Sequence, residues 1–270
     1  MAFGVDDAVE NGGQGFDSQW DGSFVYPIRD ALTTPNDDDR DMNAVAQALT
    51  QLYNDNAFRR VIYTESHDEV ANGKSRVAEE IIPGAAASWF PKKRATLGAA
   101  LVFTAPGIPM LFQGQEFLTD GSFVDTEPLD WQQAEDYKGL VHLYRDLIAL
   151  RRNRAGLTPG LRGQHIHAFH VNNEAKMLAF ARWDTGSEAN QATIVLANFA
   201  NQTHEAYTIG LPEAGSWKVR FNSDWRGYDD EFGDFDSFGM AAEEGPQDGY
   251  AWRGRIGIAP YAVLILSREG

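Results

Sequence analysis

The pattern of apolar and polar positions changes character near residue 156. Before it, short uninterrupted apolar runs alternate with segments whose apolar residues recur every three or four positions; after it, short alternating runs punctuated by Gly, Asn and Pro dominate. In the first part, residues 61–64 read as a buried parallel strand and 92–104 as an Ala- and Leu-rich helix that Pro106-Gly107 stops. Residues 108–112 read as a second apolar strand. Residues 137–151 form an amphipathic helix, with Leu140, Leu143, Tyr144, Leu147 and Leu150 on one face, ended by Gly156 and Pro159. Residues 15–21 alternate like a third strand and run into a helical stretch at 41–53. Buried strands alternating with helices are βα units of a parallel sheet, whose functional groups collect beyond the carboxyl ends of the strands. Three such units cannot close an eight-stranded barrel, so residues 1–156 read as an incomplete one.

In the second part, strands are expected at 166–171, 176–183, 192–199, 205–209, 217–222 and 256–267, giving an antiparallel all-β domain over 157–270, read as a sandwich. An acidic and aromatic loop at 224–232 lies between the last two. The triple Asp37, Asp38, Asp39 reads as a solvated loop, since a calcium loop needs spaced oxygens. The fold class expected is therefore α/β plus all-β.

Composition narrows the chemistry. The chain has 270 residues, 43% of them hydrophobic and 23% charged, which excludes disorder and collagen-like repeats. With 39 acidic against 23 basic residues the formal net charge is -16, which repels nucleic acid and anionic membrane surfaces alike. Without cysteine there is no disulfide, thiolate zinc site or thiol nucleophile, so chemistry falls to carboxylates, histidines and hydroxyls. The opening residues are acidic where a secretory leader is basic, and no apolar core follows them, so a cytoplasmic protein is expected. The most apolar stretch, 97–112, is interrupted by Pro106, Gly107 and Pro109 and falls short of the roughly 20 residues a bilayer needs.

Both predicted buried strands end in polar clusters: Glu65-Ser66-His67-Asp68-Glu69 after the first and Gln113-Gly114-Gln115-Glu116 after the second. An imidazole between carboxylates at a strand end is a setting that perturbs pKa values and supports catalysis. The same residues also read as a capping and salt-bridging loop, with Asp68 or Glu69 paired to Lys74 or Arg76. A metal would need a further convergent ligand, and the nearest histidine, His142, lies on an amphipathic helix; no metal and no cofactor are expected.

The segment Val61-Ile-Tyr-Thr-Glu-Ser-His-Asp-Glu-Val-Ala-Asn-Gly-Lys74 resembles the last catalytic region of the α-amylase superfamily, glycoside hydrolase family thirteen, in the form found in glucan branching enzymes. Thr104-Ala-Pro-Gly-Ile-Pro-Met-Leu-Phe-Gln-Gly-Gln-Glu-Phe117 resembles the family's final barrel strand, followed by Pro128-Leu-Asp-Trp131 and a helix ending Ile148-Ala-Leu-Arg-Arg152. Gly12-Gly-Gln-Gly-Phe-Asp-Ser-Gln-Trp-Asp21 is similar to its sixth strand, and the close at Ala259-Pro-Tyr-Ala-Val-Leu-Ile-Leu266 to its C-terminal β-domain.

The resemblance implies the carboxyl-terminal half of a (β/α)8 TIM barrel, residues 1–156, followed by a β-sandwich, residues 157–270. It also implies a retaining mechanism in which an Asp nucleophile forms a glycosyl-enzyme, a Glu is acid and base, and a second Asp stabilises the oxocarbenium-like transition state. Only the last maps here, onto Asp68, with His67 matching the residue that hydrogen-bonds the sugar beside the cleavage point. Glu69, Gln115 and Glu116 match positions that support the site from behind. The nucleophile and acid/base motifs, which follow the family's fourth and fifth strands, do not occur; Asp6, Asp7 and Glu10 lie near the right place without the surrounding motif. Among tryptophans able to stack on a sugar (Trp20, Trp89, Trp131, Trp225 and Trp252), Trp20 and Trp131 rank first because they follow strand ends. The activity implied is 1,4-α-glucan branching, with the isolated chain inactive. The alternatives are α-amylase-like hydrolysis and a non-catalytic α-glucan binding module. The partner implied is an α-1,4-glucan such as glycogen, starch or a maltooligosaccharide, with no nucleic acid or membrane. Self-association or a complementary N-terminal half would cover the exposed strand edges.

Overall fold

The structure, a computed structural model, describes residues 7–269 apart from the side chains of residues 189 and 190; the opening residues read for a leader, and Asp6 with them, lie outside that range. The first part runs β1 (Gln19–Trp20), α1 (Gly22–Thr33), α2 (Met42–Thr50), β2 (Arg60–Ile62), α3 (Val77–Ile81), α4 (Trp89–Thr104), β3 (Ile108–Pro109), α5 (Gln132–Asp136) and α6 (Lys138–Arg151). Strands β1, β2 and β3 form one parallel sheet in that order, with Trp20 opposite Val61 and Val61 opposite Ile108. The parallel sheet is as expected, but its strands are shorter than the predicted runs. Only the three residues of β2 are available for both neighbours to pair with, and Ile108 and Leu111 remain 40% and 36% exposed.

Helix α1 has no counterpart in the sequence reading. Asp21 caps it, accepting from the Ser23 amide at 2.9 Å, and Phe24, Val25, Ile28, Ala31 and Leu32 are buried at helical spacing. Pro27 inside it withholds the donor that the Ser23 carbonyl would receive, and a proline there argues against a helix in sequence alone. Asp21 also pairs with buried Arg60 at 2.7 Å and accepts from the Tyr53 hydroxyl at 2.6 Å, so the start of α1 is locked to β2.

The second part contains β4 (His165–Asn172), β5 (Met177–Trp183), α7 (Glu188–Gln191), β6 (Thr193–Asn198), β7 (His204–Leu211), β8 (Ser216–Asn222), β9 (Gly239–Ala241), β10 (Glu243–Gln247), β11 (Tyr250–Ile258) and β12 (Val263–Arg268). A six-stranded sheet, β4-β5-β6-β12-β8-β9, faces a three-stranded one, β10-β11-β7. The run expected as one strand at 256–267 is two strands in different sheets. Pro260, and Tyr261 at φ 46, turn the chain from β11 to β12. The polar strands β9 and β10 escape the reading because their Gly, Glu and Pro residues carry no strand signal.

Central strands β5, β6 and β12 are buried on both faces rather than alternating. Met177, Ala179, Ala181, Ile194, Leu196, Leu264 and Leu266 pack toward the three-stranded sheet. Leu178, Phe180, Val195, Ala197, Val263 and Ile265 join the cluster formed by α1, α2, α4 and α6. The six-stranded sheet is thus the middle layer between helices and a second sheet, which is why its strands read as continuous apolar runs.

Polar joints tie the layers together. Buried Lys93 of α4 pairs with buried Asp224, and Lys92 with Asp229 at 2.8 Å. Lys176 donates to the carbonyls of Asp38 and Arg40. Asp37 accepts from the Tyr261 hydroxyl and the Asn201 amide, each at 2.6 Å, and pairs with Arg40. Asp37 therefore departs from the solvated loop expected of the Asp triple and serves as a joint between α-helical and β layers. At the end of α4, fully buried Arg182 donates to the Thr104, Gly163 and His165 carbonyls, and Arg151 to those of Ala105 and Gly107. The negative end of the helix supplies the compensating partial charge.

Candidate functional site

The loop leaving β2 goes from full burial to exposure within a few residues. Tyr63, Thr64, Glu65 and Ser66 are buried, His67 and Asp68 are exposed, and Glu69 is buried again. Thr64, Glu65 and Glu69 are held by named partners, whereas the buried Ser66 hydroxyl has no hydrogen-bond partner among the described residues. Glu65 uses one carboxylate oxygen for Arg76 (3.1 Å) and the other for the Val77 amide at the start of α3 (2.8 Å). Arg76 also donates to the Gln113 carbonyl at 2.9 Å, which joins the loop after β2 to the loop after β3. Arg29 of α1 donates to the Thr64 carbonyl (2.8 Å), and Gln115 donates to the Thr64 hydroxyl (2.6 Å). Glu69 accepts from Tyr26 of α1 (3.2 Å) and pairs with Lys74 (3.1 Å).

The two readings of this cluster apply to different residues. Glu69 takes Lys74 and Glu65 takes Arg76, as a salt-bridging loop would. Asp68 takes neither: it meets His67, Nε2 to Oδ1 at 3.2 Å, and the Asp68 and His67 side chains are 66% and 56% exposed. Trp20, at the carboxyl end of the neighbouring strand β1, is 44% exposed and meets the His67 ring edge-on at 5.6 Å and the Tyr63 ring at 5.4 Å. Burial, reinforced by the Glu69 charge, pushes the Tyr63 phenol up to about 12, so it stays protonated beneath the indole. Trp20, His67 and Asp68 thus form one exposed group: a flat apolar ring, an imidazole and a carboxylate on a braced loop.

The other predicted residues lie around or apart from this group. Gln115 braces Thr64 directly beneath it. Glu116, on the short helical turn Gln115–Phe117, buries Oε2 with no hydrogen-bond partner among the described residues. Trp131 is 68% exposed and packs on Phe117 at 5.6 Å, on a different loop; among the described residues no ring contact joins it to Trp20. Tyr26 and Arg29 are site-bracing residues that the sequence reading missed. Their signal is the Phe24, Val25, Ile28 spacing of α1, which Pro27 obscures. No group of three or more His, Asp or Glu among the described residues could hold a metal ion.

Residues 169–269 match the family described as "Alpha amylase, C-terminal all-beta domain". The chain is 29% identical to the 1,4-alpha-glucan branching enzyme GlgB of Pseudomonas fluorescens (strain Pf0-1), covering 98% of this chain and 35% of that protein. It is 28% identical to the branching enzyme of Geobacillus stearothermophilus, covering 95% and 39%. In fold it is similar to a pullulanase from Anoxybacillus sp. LM18-11 solved with maltotetraose, with TM-score 0.63, 17% identity, and 93% of this chain on 35% of that one. An alpha-amylase from H. orenii matches with TM-score 0.60, 17% identity, and 98% on 52%. The chain spans a little over a third of the length of the curated relatives it matches. The resemblance to the α-amylase superfamily, in its branching-enzyme form, holds across nearly the whole chain.

Proposed function

We propose that this chain carries the transition-state-stabilising part of a 1,4-α-glucan branching site, with residues 7–156 forming part of a (β/α)8 barrel and the β-domain beginning at residue 157. The observation that supports it is the exposed group Trp20, His67 and Asp68 at the carboxyl ends of two adjacent parallel strands. The indole presents an apolar face to a pyranose ring, and His67 hydrogen-bonds a hydroxyl of the same sugar. The Asp68 carboxylate attracts the ring more strongly as it flattens and gains positive charge on the way to the oxocarbenium-like state. Glu65, Glu69, Arg76 and Gln115 hold the loop so that no reorganisation is needed when that charge develops.

A retaining reaction also needs two carboxyl groups about 5 Å apart, one as nucleophile and one as acid and base. Neither family motif for them occurs in this sequence, so in this reading the remaining barrel strands supply both and the 270 residues alone do not turn over glucan. Hydrolysis is the second reading, favoured by the fold likeness to alpha-amylases. The choice rests on whether a sugar hydroxyl or water takes the glycosyl group.

The test is Asp68→Asn in an enzyme completed with a compatible first half of the barrel. The substitution keeps size and removes charge, so kcat is expected to fall on the order of a hundredfold to a thousandfold, with maltooligosaccharide binding changed far less. Loss of iodine colour without new reducing ends identifies transfer; new reducing ends identify hydrolysis. A kcat within about threefold of the parent, with only the melting temperature lowered, would make Asp68 a structural residue.

A further inference from the structure

The acidic and aromatic loop that follows β8 has no part in the site above, yet it builds an open groove of about 430 Å³. Its frame is buried Asp224, which pairs with Lys93 and accepts from the amides of Gly233 (3.1 Å) and Phe235 (3.0 Å), folding residues 224–235 back on themselves. This places Trp225 and Phe238 on one groove, 43% and 78% exposed. The indole is braced from behind. It packs T-shaped against the Tyr228 ring (centroids 4.9 Å apart) and the His142 ring (5.9 Å), and the Tyr228 hydroxyl donates to Asp146 at 2.6 Å.

The polar lining is as specific as the apolar one. Arg220 uses Nε for the Ser267 hydroxyl at 2.9 Å, which fixes the plane of its guanidinium. Among the described residues its two terminal nitrogens have no hydrogen-bond partner. The Asp236 side chain has neither hydrogen bond nor ion pair there. Asp234 spends one oxygen on a long contact, 3.4 Å, from the Arg226 amide. A braced aromatic face, a second exposed ring, a planar donor and two carboxylate acceptors match a neutral polyhydroxylated ring: C–H faces stack on the aromatics and neighbouring hydroxyls bridge carboxylate and guanidinium. Asp234 and Asp236, in a chain of net charge -16, exclude phosphate-bearing ligands.

We propose that the groove between Trp225 and Phe238 is a second saccharide-binding site, taking a linear segment of α-1,4-glucan. The saccharide chemistry follows from the groove; the choice of α-glucan rests on the function proposed above. Such a site would hold a long glucan on the β-domain independently of the Trp20 group.

The test uses the full chain and maltoheptaose, by fluorescence titration and by retardation in native gels containing glycogen. Trp225→Ala and Phe238→Ser are each expected to weaken binding by about threefold to tenfold and the double variant by more than tenfold, while Trp225→Tyr retains most of it. Phe238 is too exposed for its replacement to unfold the chain, so loss in that variant reads the groove itself. Trp20→Ala is the separating arm. If the double variant binds as the parent does and Trp20→Ala abolishes binding, the groove is overturned and the Trp20 group stands. If the parent shows no retardation and no titration, the groove is overturned regardless of what Asp68→Asn does to catalysis.

Discussion

Asp37 shows how a single side chain can belong to a different part of the molecule from the one its neighbours suggest. Within the run Asp37, Asp38, Asp39 it reads as solvated. In the fold it receives the Tyr261 hydroxyl, the Asn201 amide and the Arg40 guanidinium, across the boundary between helices and sheet. Partial burial would raise its pKa, but the two hydrogen bonds and Arg40 outweigh it and hold the carboxyl below its ordinary value of 3.8. A carboxylate with a depressed folded-state pKa contributes stability that is present above the unfolded value and disappears as pH falls through the folded one. Asp37→Asn is therefore expected to lower the melting temperature at pH 7 and to flatten the loss of stability below about pH 3.8. Thermal melts of both proteins from pH 7 down to pH 3 check this; parallel curves would show that Asp37 does not titrate with folding.

Helix α6 packs so closely on the loop after β8 that one of its positions admits no side chain beyond hydrogen. A Cβ on Gly139 would stand 2.2 Å from the backbone carbonyl oxygen of Tyr228. Helix propensity alone predicts that Gly139→Ala stabilises by up to about 1 kcal/mol. Contact with a backbone oxygen reverses the sign, and a net loss of about 1–3 kcal/mol is expected as the loop is pushed off the helix. Urea titration gives that value directly. A more stable variant would show that residues 224–235 yield without cost. The placement of proline explains why β3 was legible and α1 was not: Pro106-Gly107 and the apolar run after it coincide with a real boundary, whereas Pro27 sits inside a helix that tertiary contacts, from Arg29 to Thr64 and Tyr26 to Glu69, hold in place.

The molecule as a whole is layered around the six-stranded sheet of the second part, one face of which is covered by helices of the first. With Leu178, Phe180, Val195, Ala197, Val263 and Ile265 packed among the helices, and Lys93 and Asp224 both buried at the junction, separating the parts would expose an apolar sheet face and leave a buried charge unpaired. One cooperative thermal transition is expected, coincident by far-ultraviolet dichroism and tryptophan fluorescence. Two resolved transitions would show that the parts fold separately. Lys93→Met, which leaves Asp224 without its partner, is expected to move the single transition as a unit rather than split it.

What the sequence determined by itself was local: the buried strand at β2, helices α4 and α6, most strands of the β-domain, and the polar cluster that brings His67 and Asp68 to a strand end. Apolar periodicity and turn residues report burial and chain direction, and a short motif keeps its spacing whatever surrounds it. Only the tertiary structure decided which carboxylates the cluster consumes. Glu65 and Glu69 find cations on the same loop and Asp68 does not, a matter of side-chain direction that spacing leaves open. It likewise separated Trp131 from Trp20, split the run after residue 255 between two sheets, and gave β5, β6 and β12 two dry faces. Those outcomes depend on what packs against each element, and that partner comes from residues distant along the chain.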